Sequence, residues 1–568
     1  MNEYAILHKP DSNFCFPTGE KQIVLRLRTM REDQVEKVSI IYGFKYDFHN
    51  ARKECEMKKK YEDRYFDYYE VTLDLEDVRL AYVFTLDTED GRHYFSEDGI
   101  TKEYDFNIGY FNYFQVPYIN KEDVIRTVPW MKKAVFYQIF VDRFFMGDKE
   151  KDKSYINHSW GEKPHPKSFT GGDIKGIIEK LDYIASLGAN AIYLTPIFSS
   201  ISNHKYDIAD YKEIDPQFGS KEDLKELVEK AHKKGIRIVL DAVFNHCSDK
   251  IMQFQDVLEK GKDSEYFDWF FIRGEKPVTN PCNYEVFSSC DYMPKLNTSN
   301  PEVREFLIDI ACYYIKEFDI DGWRLDVSDE ISHDFWRAFR NEVKKAKEDC
   351  VIIGENWHDA YPFLMGDQFD GIMNYSFTKA LLDYFAFGTF TTKDFIYKLN
   401  ELLVRNKKQI NEMMLNLLDT HDTDRFYTQT GKDKDKVLAA LAISTCFIGA
   451  PCVYYGTEHW LEGGYDPDNR RTFDWNEENW DKAGMTVLSQ ILKVKQEISV
   501  QEGDIQMKDI DGVLSLQRYT KKETVTLYYN KGNKDISFVI EPSSLLVQNK
   551  YSDEVLKAGG FLICKETI

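Results

Sequence analysis

The sequence predicts an α/β protein built around a (β/α)8 TIM barrel, with an N-terminal β-sandwich, a small excursion domain after barrel strand 3 and a C-terminal β domain. Three observations support this prediction. From about residue 130 to 500, apolar strand-like runs alternate with charged stretches of helical periodicity. Short strand-like runs separated by turns occupy both ends of the chain instead. The length of 568 residues exceeds what one hydrophobic core usually supports.

The N-terminal region is predicted to form a sandwich over residues 1–122. Its runs are short and alternate apolar with polar residues, as in Gln22–Arg28, Val38–Tyr42 and Tyr82–Leu86. Strands of this length at regular spacing are typical of two packed antiparallel sheets.

The barrel prediction rests on eight apolar runs. Helical stretches such as Ile174–Leu187 and Lys221–Lys234 separate most of them and carry apolar residues three and four positions apart. Strands alternating with helices in this way favour a parallel barrel. The runs are Ala134–Val141, Asn190–Pro196, Ile236–Phe244, Gly322–Val327, Val351–Glu355, Gly371–Tyr375, Met414–Asp419 and Cys452–Tyr455.

The changes of pattern set the expected domain boundaries. The barrel is assigned to residues 123–243 and 299–500. Residues 244–298 lack the alternation of strands and helices and are predicted to form the excursion domain. Residues 501–568 again show short strand-like runs and are predicted to form the C-terminal β-sandwich.

Composition and charge narrow the classes of function. The 43% hydrophobic and 30% charged content indicates a globular chain. A net charge of -22 disfavours nucleic acid or an anionic membrane as partner, because a polyanionic surface repels phosphate groups. Ten scattered cysteines without a CxxC pair, and a first segment without the apolar core of a signal peptide, predict a cytoplasmic protein with reduced thiols.

Polar residues close four of the predicted barrel strands. Catalytic groups of this fold class lie at the C-terminal ends of the strands. Three carboxylates, an arginine and two histidines are therefore expected to converge on one bowl. The four closures are Asp241–His246, Gly322–Val327, Ile353–Trp357 and Leu418–Asp422.

Arg324 and Asp326 combine in a way that suits a nucleophile. Alternation along a strand places both side chains on the inner face of the barrel. A guanidinium beside a carboxylate favours the ionised form and fixes its orientation. For this strand considered by itself, a structural ion pair is an equally good interpretation.

Glu355 follows the apolar run Val351–Gly354. An apolar strand desolvates a carboxyl group and favours its neutral form, as a general acid requires. By itself Glu355 is equally typical of a helix cap. His421 and Asp422, each considered alone, are more typical of satisfied polar residues than of catalysts. Together the groups supply what retaining glycoside hydrolysis needs, a nucleophile and an acid/base about 5 Å apart with further support for the transition state.

At these residues the sequence resembles the α-amylase family of glycoside hydrolases, specifically its neopullulanase, cyclomaltodextrinase and maltogenic amylase subfamily. The similarity runs nearly end to end. Met293–Asn297 resembles the stretch that sets this subfamily apart from ordinary α-amylases. Other matching segments are Ala134–Phe140, Phe169–Asp173, His204–Asp207, Gly449–Glu458 and Asp466–Arg471.

The resemblance implies a role for each matching residue. Asp326 is the implied nucleophile, Glu355 the acid/base and Asp422 the stabiliser of the transition state. For two of the implied substrate contacts, Phe287 and Trp357, core packing stays an alternative. The implied contacts are His246, Arg324 and His421 in the cleavage subsite, Tyr206 as its stacking ring, Asp466 and Arg470 on the donor side, and Phe287 and Trp357 on the acceptor side.

The resemblance also implies a substrate and an assembly. It implies retaining hydrolysis of α-1,4-glucosidic bonds in cyclodextrins, maltooligosaccharides and pullulan, with some transglycosylation. The N-terminal sandwich resembles a carbohydrate-binding module that packs over the partner's active site in a homodimer. An α-1,6-glucosidase or a glucanotransferase on the same barrel stays an alternative. A non-catalytic sugar-binding relative is the alternative from another class, and the presence of all three carboxylates disfavours it.

One segment departs from the family pattern. Many relatives bind calcium after the first barrel strand through Asn-x-Asp-x-x-Asn-Asp, assisted by a later Gly-Gly-Asp. In this chain Met146 and Lys151 replace two of the oxygen ligands. Because calcium prefers about six to eight oxygens, we expect no calcium here and no other cofactor, with the Lys151 ammonium in the cation's place. The remaining oxygen ligands are Asp148, Asp152 and Asp173.

Two further departures lie near the acid. Asn356 stands where relatives commonly carry an aliphatic residue, and Ser328–Glu330 differs from the usual Ala-Asn-Glu. An amide beside the acceptor subsites is expected to influence the balance between hydrolysis and transfer to another sugar. Asp329 is expected to add negative charge on that side.

Overall fold

The computed structural model describes residues 1–33, 35–541 and 544–568. The described chain divides into two compact units. The first combines residues 1–127 with 390–411, and the second combines residues 128–389 with 412–568.

The first unit is built on two antiparallel sheets. Leu25 and Leu27 of one sheet pack in the same core as Tyr82 and Phe84 of the other. One sheet has the order Cys15–Gly19, Gln22–Met30, Phe66–Asp74, Lys58–Glu62. The other has the order Lys53–Glu56, Lys37–Phe44, Leu80–Thr88, Gly91–Ser96, Gly99–Thr101, with Phe114–Val116 also paired to Leu80–Thr88. The predicted N-terminal β-sandwich is confirmed.

The first unit also contains a segment from far along the chain. The helix Thr392–Arg405 begins at a capping box, in which Thr391 and Asp394 each bind the other's backbone N–H group, and a short helix, Lys408–Asn411, follows. Asn400 Nδ2 donates to the carbonyl oxygen of Glu62 at 2.9 Å. Between barrel strands 6 and 7 the chain therefore leaves the barrel unit and completes the sandwich unit.

The second unit contains the predicted barrel. Among the described residues, eight parallel strands pair in the order 6-5-4-3-2-1-8-7, and a parallel bridge between Met373 and Leu415 closes the ring. Each strand overlaps the run predicted for it, so the TIM barrel prediction is confirmed. Barrel strands 1 to 8 are Phe136–Ile139, Ala191–Leu194, Arg237–Ala242, Gly322–Leu325, Val351–Gly354, Gly371–Ile372, Leu415–Leu417 and Ala450–Tyr454.

Amphipathic helices cover the barrel. His333–Ala346 is representative: Ser332 caps its first turn, and its inner face buries Phe335, Trp336 and Phe339. Close packing of the strands requires glycine at position 322, where an added Cβ would lie 2.4 Å from Val351 Cγ1. The α-helices of this unit are Val141–Phe144, Ile174–Glu179, Leu181–Leu187, Lys221–Lys233, Met252–Lys260, Pro301–Phe318, His333–Ala346, Tyr375–Phe385, Phe426–Gln429, Lys434–Cys446, Lys482–Lys493 and Ile498–Glu502.

Two excursions extend the C-terminal face of the barrel. After barrel strand 2, Phe198–Ser200 pairs with Ile208–Ile214 as a hairpin. After strand 3, the chain returns over itself through isolated bridges, among them His246 with Lys295 and Val286 with Pro294. The second excursion thereby places its far end beside the end of strand 3.

The C-terminal residues form an antiparallel sheet. Its strands lie in the order Asp504–Ile510, Val513–Tyr519, Glu523–Asn530, Val555–Thr567, Ile536–Ser537. The strand Leu545–Ser552 also pairs with Val555–Thr567. All ten cysteines lie in the described ranges, and each is a free thiol. None of the described helices combines the length and apolar character needed to cross a membrane.

Candidate active site

A cavity of about 500 Å³ opens at the C-terminal ends of the barrel strands. Nine of the eleven residues predicted from the sequence line it, and the other two, Arg324 and His421, are buried in contact with lining residues. The predicted lining residues are Tyr206, His246, Phe287, Asp326, Glu355, Trp357, Asp422, Asp466 and Arg470. The other lining residues are His204, Cys290, Tyr292, Met293, Val327, Asp329, Glu330 and Tyr465. Of these, the sequence predicts an effect only for Asp329, which was expected to add negative charge near the acceptor side.

Arg324 binds both principal carboxylates. Its Nη1 donates to Asp326 Oδ1 at 2.8 Å, and its Nη2 forms an ion pair with Glu355 Oε2 at the same distance. All three side chains are buried. Because the two terminal nitrogens of one guanidinium are near neighbours, Asp326 and Glu355 are held close together on one side of the cavity.

A third carboxylate shares the same cation. Asp241 Oδ1 accepts from Arg324 Nη1 at 3.0 Å, and Tyr193 and Tyr206 donate to Asp241 Oδ2. Burial raises the pKa of Asp241 to about 6, against the lowering effect of Arg324. Burial raises the pKa of Asp326 well above its usual range, with a further contribution from Glu355. One guanidinium among three buried carboxylates therefore favours retention of a proton within the cluster.

Glu355 is oriented by groups on both of its oxygens. The backbone N–H of Val327 donates to Oε2 at 3.0 Å, and Trp357 Nε1 donates to Oε1 at 3.1 Å. Val327 adopts a left-handed backbone conformation, with φ 45° and ψ 45°, which is costly for a β-branched residue. Trp357 stacks on Tyr375 at 3.8 Å and is 44% exposed, so core packing does not account for it.

Asp422 lies among cationic and imidazole groups. Its Oδ1 is 3.3 Å from Arg470 Nη2, and its Oδ2 is 3.2 Å from His421 Nε2. Arg470 also pairs with Asp466 at 2.9 Å. Burial raises the pKa of Asp466, whereas Arg470 opposes the increase. This arrangement positions carboxylate oxygens to accept hydrogen bonds from a polyhydroxyl ligand.

His421 is buried as a neutral ring. Burial lowers its pKa well below the usual range, and the charges of Arg470 and Arg324 add to this effect. Gln138 Nε2 contacts Nδ1 at 2.8 Å, and Tyr206 Oη contacts Nε2 at 2.6 Å. With the amide donating to Nδ1, the proton of the ring lies on Nε2. The Tyr206 ring stacks nearly parallel to His421 and forms a wall of the cavity.

His246 faces the cavity with an unused polar atom. Its Nε2 is buried and has no hydrogen-bond partner among the residues described. Phe287 stacks on the ring at 4.5 Å, and burial lowers the pKa of His246 to about 3. Because a buried polar atom without a partner is costly, this nitrogen is suited to a ligand hydroxyl.

Two missed lining residues had a signal in the sequence, and one expected residue faces away. His204 begins the segment His204–Asp207, which matches the family pattern, and its ring stacks on Tyr206. Tyr465 directly precedes Asp466 and is 75% exposed at the rim. Asn356 directly follows Glu355, but its amide is buried against Ser328 and does not line the cavity, so any influence on transfer to another sugar would be indirect.

The residues of the suspected calcium site do not fit calcium. Lys151 Nζ lies 2.9 Å from Asp173 Oδ2 and donates to the carbonyl oxygens of Gly171 and Gln217 at 2.7 and 2.9 Å. Asp148 pairs with Lys175 instead. An ammonium already bound to these three oxygens would repel a divalent cation.

The cavity can support acid/base and nucleophilic chemistry on a neutral polyhydroxyl ligand. Asp326 and Glu355 lie on one guanidinium, and Asp422 and the histidines lie around them. Tyr206, Phe287 and Trp357 offer ring surfaces against which sugar rings pack.

Comparisons with known proteins agree with this geometry. Residues 138–522 match the family model for the alpha amylase catalytic domain, and residues 1–120 match that for the alpha amylase N-terminal ig-like domain. The chain is 42% identical over 547 residues to a cyclomaltodextrinase of Thermoanaerobacter pseudethanolicus, with 95% of each protein covered. It is 39% identical over 556 residues to neopullulanase 2 of Thermoactinomyces vulgaris, covering 95% of this chain and 93% of the relative.

A solved structure gives the same result. A cyclomaltodextrinase superposes with a TM-score of 0.90 at 35% sequence identity, covering 100% of this chain and 98% of that structure. The catalytic-domain match alone extends over more than half of the sequence and begins within barrel strand 1. This chain belongs to the α-amylase family.

Proposed function

We propose that the chain hydrolyses α-1,4-glucosidic bonds in cyclodextrins, maltooligosaccharides and pullulan with retention of configuration, and transfers some glycosyl groups to other sugars. The observation that supports this most directly is the attachment of Asp326 and Glu355 to one guanidinium. Retaining enzymes need their two carboxyl groups about 5 Å apart, whereas inverting enzymes leave room for a water molecule.

In the proposed reaction Asp326 attacks the anomeric carbon while Glu355 gives a proton to the departing glycosidic oxygen. Arg324 favours the anionic form of Asp326 that attack requires, and so opposes the burial that raises the pKa of this carboxyl group. Water then enters, Glu355 removes its proton, and the bond between the sugar and Asp326 breaks. Transfer occurs when a second sugar takes the place of that water.

The remaining residues hold the sugar. His246 Nε2 and the Asp422 carboxylate are placed for hydroxyl groups, and Tyr206 is placed for stacking. Trp357 and Phe287 extend the cleft toward the acceptor, and Asp466 and Arg470 extend it toward the donor. Hydrogen bonds that strengthen as the ring distorts would favour the transition state over the bound substrate.

The test is a product profile with one substitution. We expect β-cyclodextrin, maltohexaose and pullulan to be cleaved, isomaltose to be left intact, and NMR to show the α-anomer first. Asp326→Asn should lower kcat by about 10⁴-fold or more with oligosaccharide binding retained, because only the attacking charge is lost. Asp334→Asn makes the same change on the protein surface and should leave kcat unchanged.

Rapid turnover by Asp326→Asn, or release of the β-anomer first, would contradict the mechanism. Cleavage of isomaltose in preference to β-cyclodextrin would favour the α-1,6-glucosidase alternative.

We also propose a homodimer that associates through the N-terminal unit. Support comes from aromatic rings left at the surface of that unit, with Tyr46 68%, Tyr110 61% and Phe111 78% exposed. Exposed aromatic residues of this kind are enriched at protein interfaces. Sedimentation at micromolar concentration should give twice the mass of one chain, and Phe111→Ser should weaken the association.

We further propose that the protein acts in the cytoplasm and without calcium. Ten free thiols suit a reducing compartment. Lys151, in place of a divalent ion, neutralises Asp173 and binds the carbonyl oxygens around it.

A further inference from the structure

Two polar side chains behind the nucleophile and the acid bind each other. Ser328 is fully buried, and Asn356 is nearly so. Ser328 Oγ lies 2.8 Å from Asn356 Oδ1 and 2.9 Å from the carbonyl oxygen of Glu355. Neither residue lines the cavity. The contact links the segment that follows barrel strand 4 to the segment that follows strand 5.

The link does not depend on how the amide is oriented. One hydroxyl hydrogen cannot fully serve both acceptors. If the Asn356 amide is rotated by half a turn, Nδ2 donates to Ser328 Oγ and the hydroxyl donates to the carbonyl oxygen of Glu355. In either orientation the two segments share a buried hydrogen bond.

The surroundings hold Ser328 in place. Its carbonyl oxygen accepts from Trp336 Nε1 at 2.8 Å. Its Oγ lies so close to Gly354 that a Cβ on that glycine would come within 2.9 Å. The neighbouring amide of Val327 binds Glu355 Oε2. A backbone contact and a side-chain contact thus join the same two segments.

We propose that Ser328 and Asn356 are a positioning pair that fixes the separation of the Asp326 and Glu355 carboxyl groups. Asp326 lies two residues before Ser328, and Glu355 lies directly before Asn356. The proposal rests on the proposed function, in which that separation decides the rate. A misplacement of about 1 Å in an active site can cost about a hundredfold in rate. The pair touches no substrate and acts through the backbone.

A double-mutant cycle tests the pair. Ser328→Ala and Asn356→Leu should each lower kcat on β-cyclodextrin about tenfold with KM within about twofold, because each breaks the buried hydrogen bond that joins the two segments. The double variant should lose little more than Ser328→Ala alone, since both substitutions break the same hydrogen bond between the segments. Losses that multiply to about a hundredfold, or single variants with normal kcat, would overturn the proposal.

A control separates positioning from stability. Tyr82→Phe removes a buried hydrogen bond of 2.8 Å to His8 in the other unit, so it should lower Tm without changing kcat. If Ser328→Ala behaves like Tyr82→Phe, the pair is merely structural and the proposal fails. If Asn356→Leu does not fold, Asn356→Ala takes its place in the cycle, because the smaller side chain cannot overpack the site.

Crystal structures separate this proposal from the function on which it rests. The distance between the carboxyl groups of Asp326 and Glu355 should differ by at least about 0.5 Å between wild type and Asn356→Leu. An unchanged distance overturns the positioning pair even if the enzyme is active. A changed distance in a protein that does not cleave β-cyclodextrin supports the pair and refutes the proposed function.

Discussion

At the scale of residues, the active site holds more buried carboxylate groups than the one guanidinium among them can neutralise. Asp241, Asp326 and Glu355 share Arg324, which leaves a negative excess in a buried place. Strand alternation was sufficient to predict the Arg324 and Asp326 pair. The Val327 amide on Glu355 could not be predicted, because it depends on a left-handed backbone conformation that valine rarely adopts.

Lys495 is a buried cation outside the active site. Its Nζ donates to the carbonyl oxygen of Gly449 at 2.6 Å, and the side chain is almost completely buried. Burial lowers its pKa to about 7, and the nearby charge of Arg518 adds to the effect. Below pH 7 the folded protein therefore carries a desolvated charge, which is a cost to folding.

We expect Lys495→Met to raise the free energy of unfolding. The folded pKa lies below the unfolded value of 10.5, so wild-type stability rises with pH between about 7 and 10.5 and is lowest, relative to the variant, below pH 7. The gain should reach at most about 5 kcal/mol at pH 6 and shrink toward pH 10. Urea denaturation at both pH values measures it. Lys482→Met, at a largely exposed lysine, is the control, and an equal gain at pH 6 and pH 10 would contradict the explanation.

At the scale of elements, the barrel strands could be predicted from the sequence better than the loops that follow them. The barrel strands could be located from apolar runs, because helices cover the outer face of each strand and packed side chains fill the inside of the barrel. The loops were harder to predict: Phe287 reaches His246 only because bridges fold the excursion back on itself. Asn356 faces Ser328 rather than the cavity for a similar reason, since the local turn and not the alternation decides its direction.

The loop held by Lys151 gives a prediction about metal ions. A chelator such as EDTA should leave Tm unchanged, because the cation at this place is part of the chain. Lys151→Met should lower the free energy of unfolding by about 3 kcal/mol, since it leaves the buried Asp173 carboxylate with backbone N–H donors but without its cationic partner. Lys153→Met, at the exposed neighbouring lysine, should have little effect. A fall of several degrees in Tm with EDTA would show that a metal ion binds after all.

At the scale of the whole molecule, the order of domains in the sequence is not the order of compact units. Periodicity predicted the sandwich, the barrel and the C-terminal sheet. It gave no sign that residues 390–411 pack with residues 1–127, because an amphipathic helix has the same pattern whichever core it covers. Residues 390–411 are held in this unit by hydrogen bonds between positions far apart in the sequence. Asn13 Nδ2 donates to the carbonyl oxygen of Val404, and Gln409 Nε2 donates to the carbonyl oxygen of Pro17.

Removal of residues 1–127 tests this division. The helix Thr392–Arg405 would lose the partners of its buried residues, so the remaining chain should show a lower Tm and bind a hydrophobic dye. Differential scanning calorimetry and dye fluorescence measure the two effects. If the shortened protein melts at the temperature of the full chain, residues 390–411 do not depend on the sandwich.

The long interval between the two parts of the first unit has a consequence during synthesis. Phe390 leaves the ribosome about 260 residues after Thr127, which at roughly 5 to 20 residues per second is a delay of about 13 to 50 s. In the folded protein Arg26 Nη1 donates to the carbonyl oxygen of Asn406. During the delay this acceptor has not yet been translated, so the hydrogen bond cannot form. The first region to emerge is thus among the last to be finished, and the nascent chain exposes an incomplete sandwich while most of the barrel is still being made.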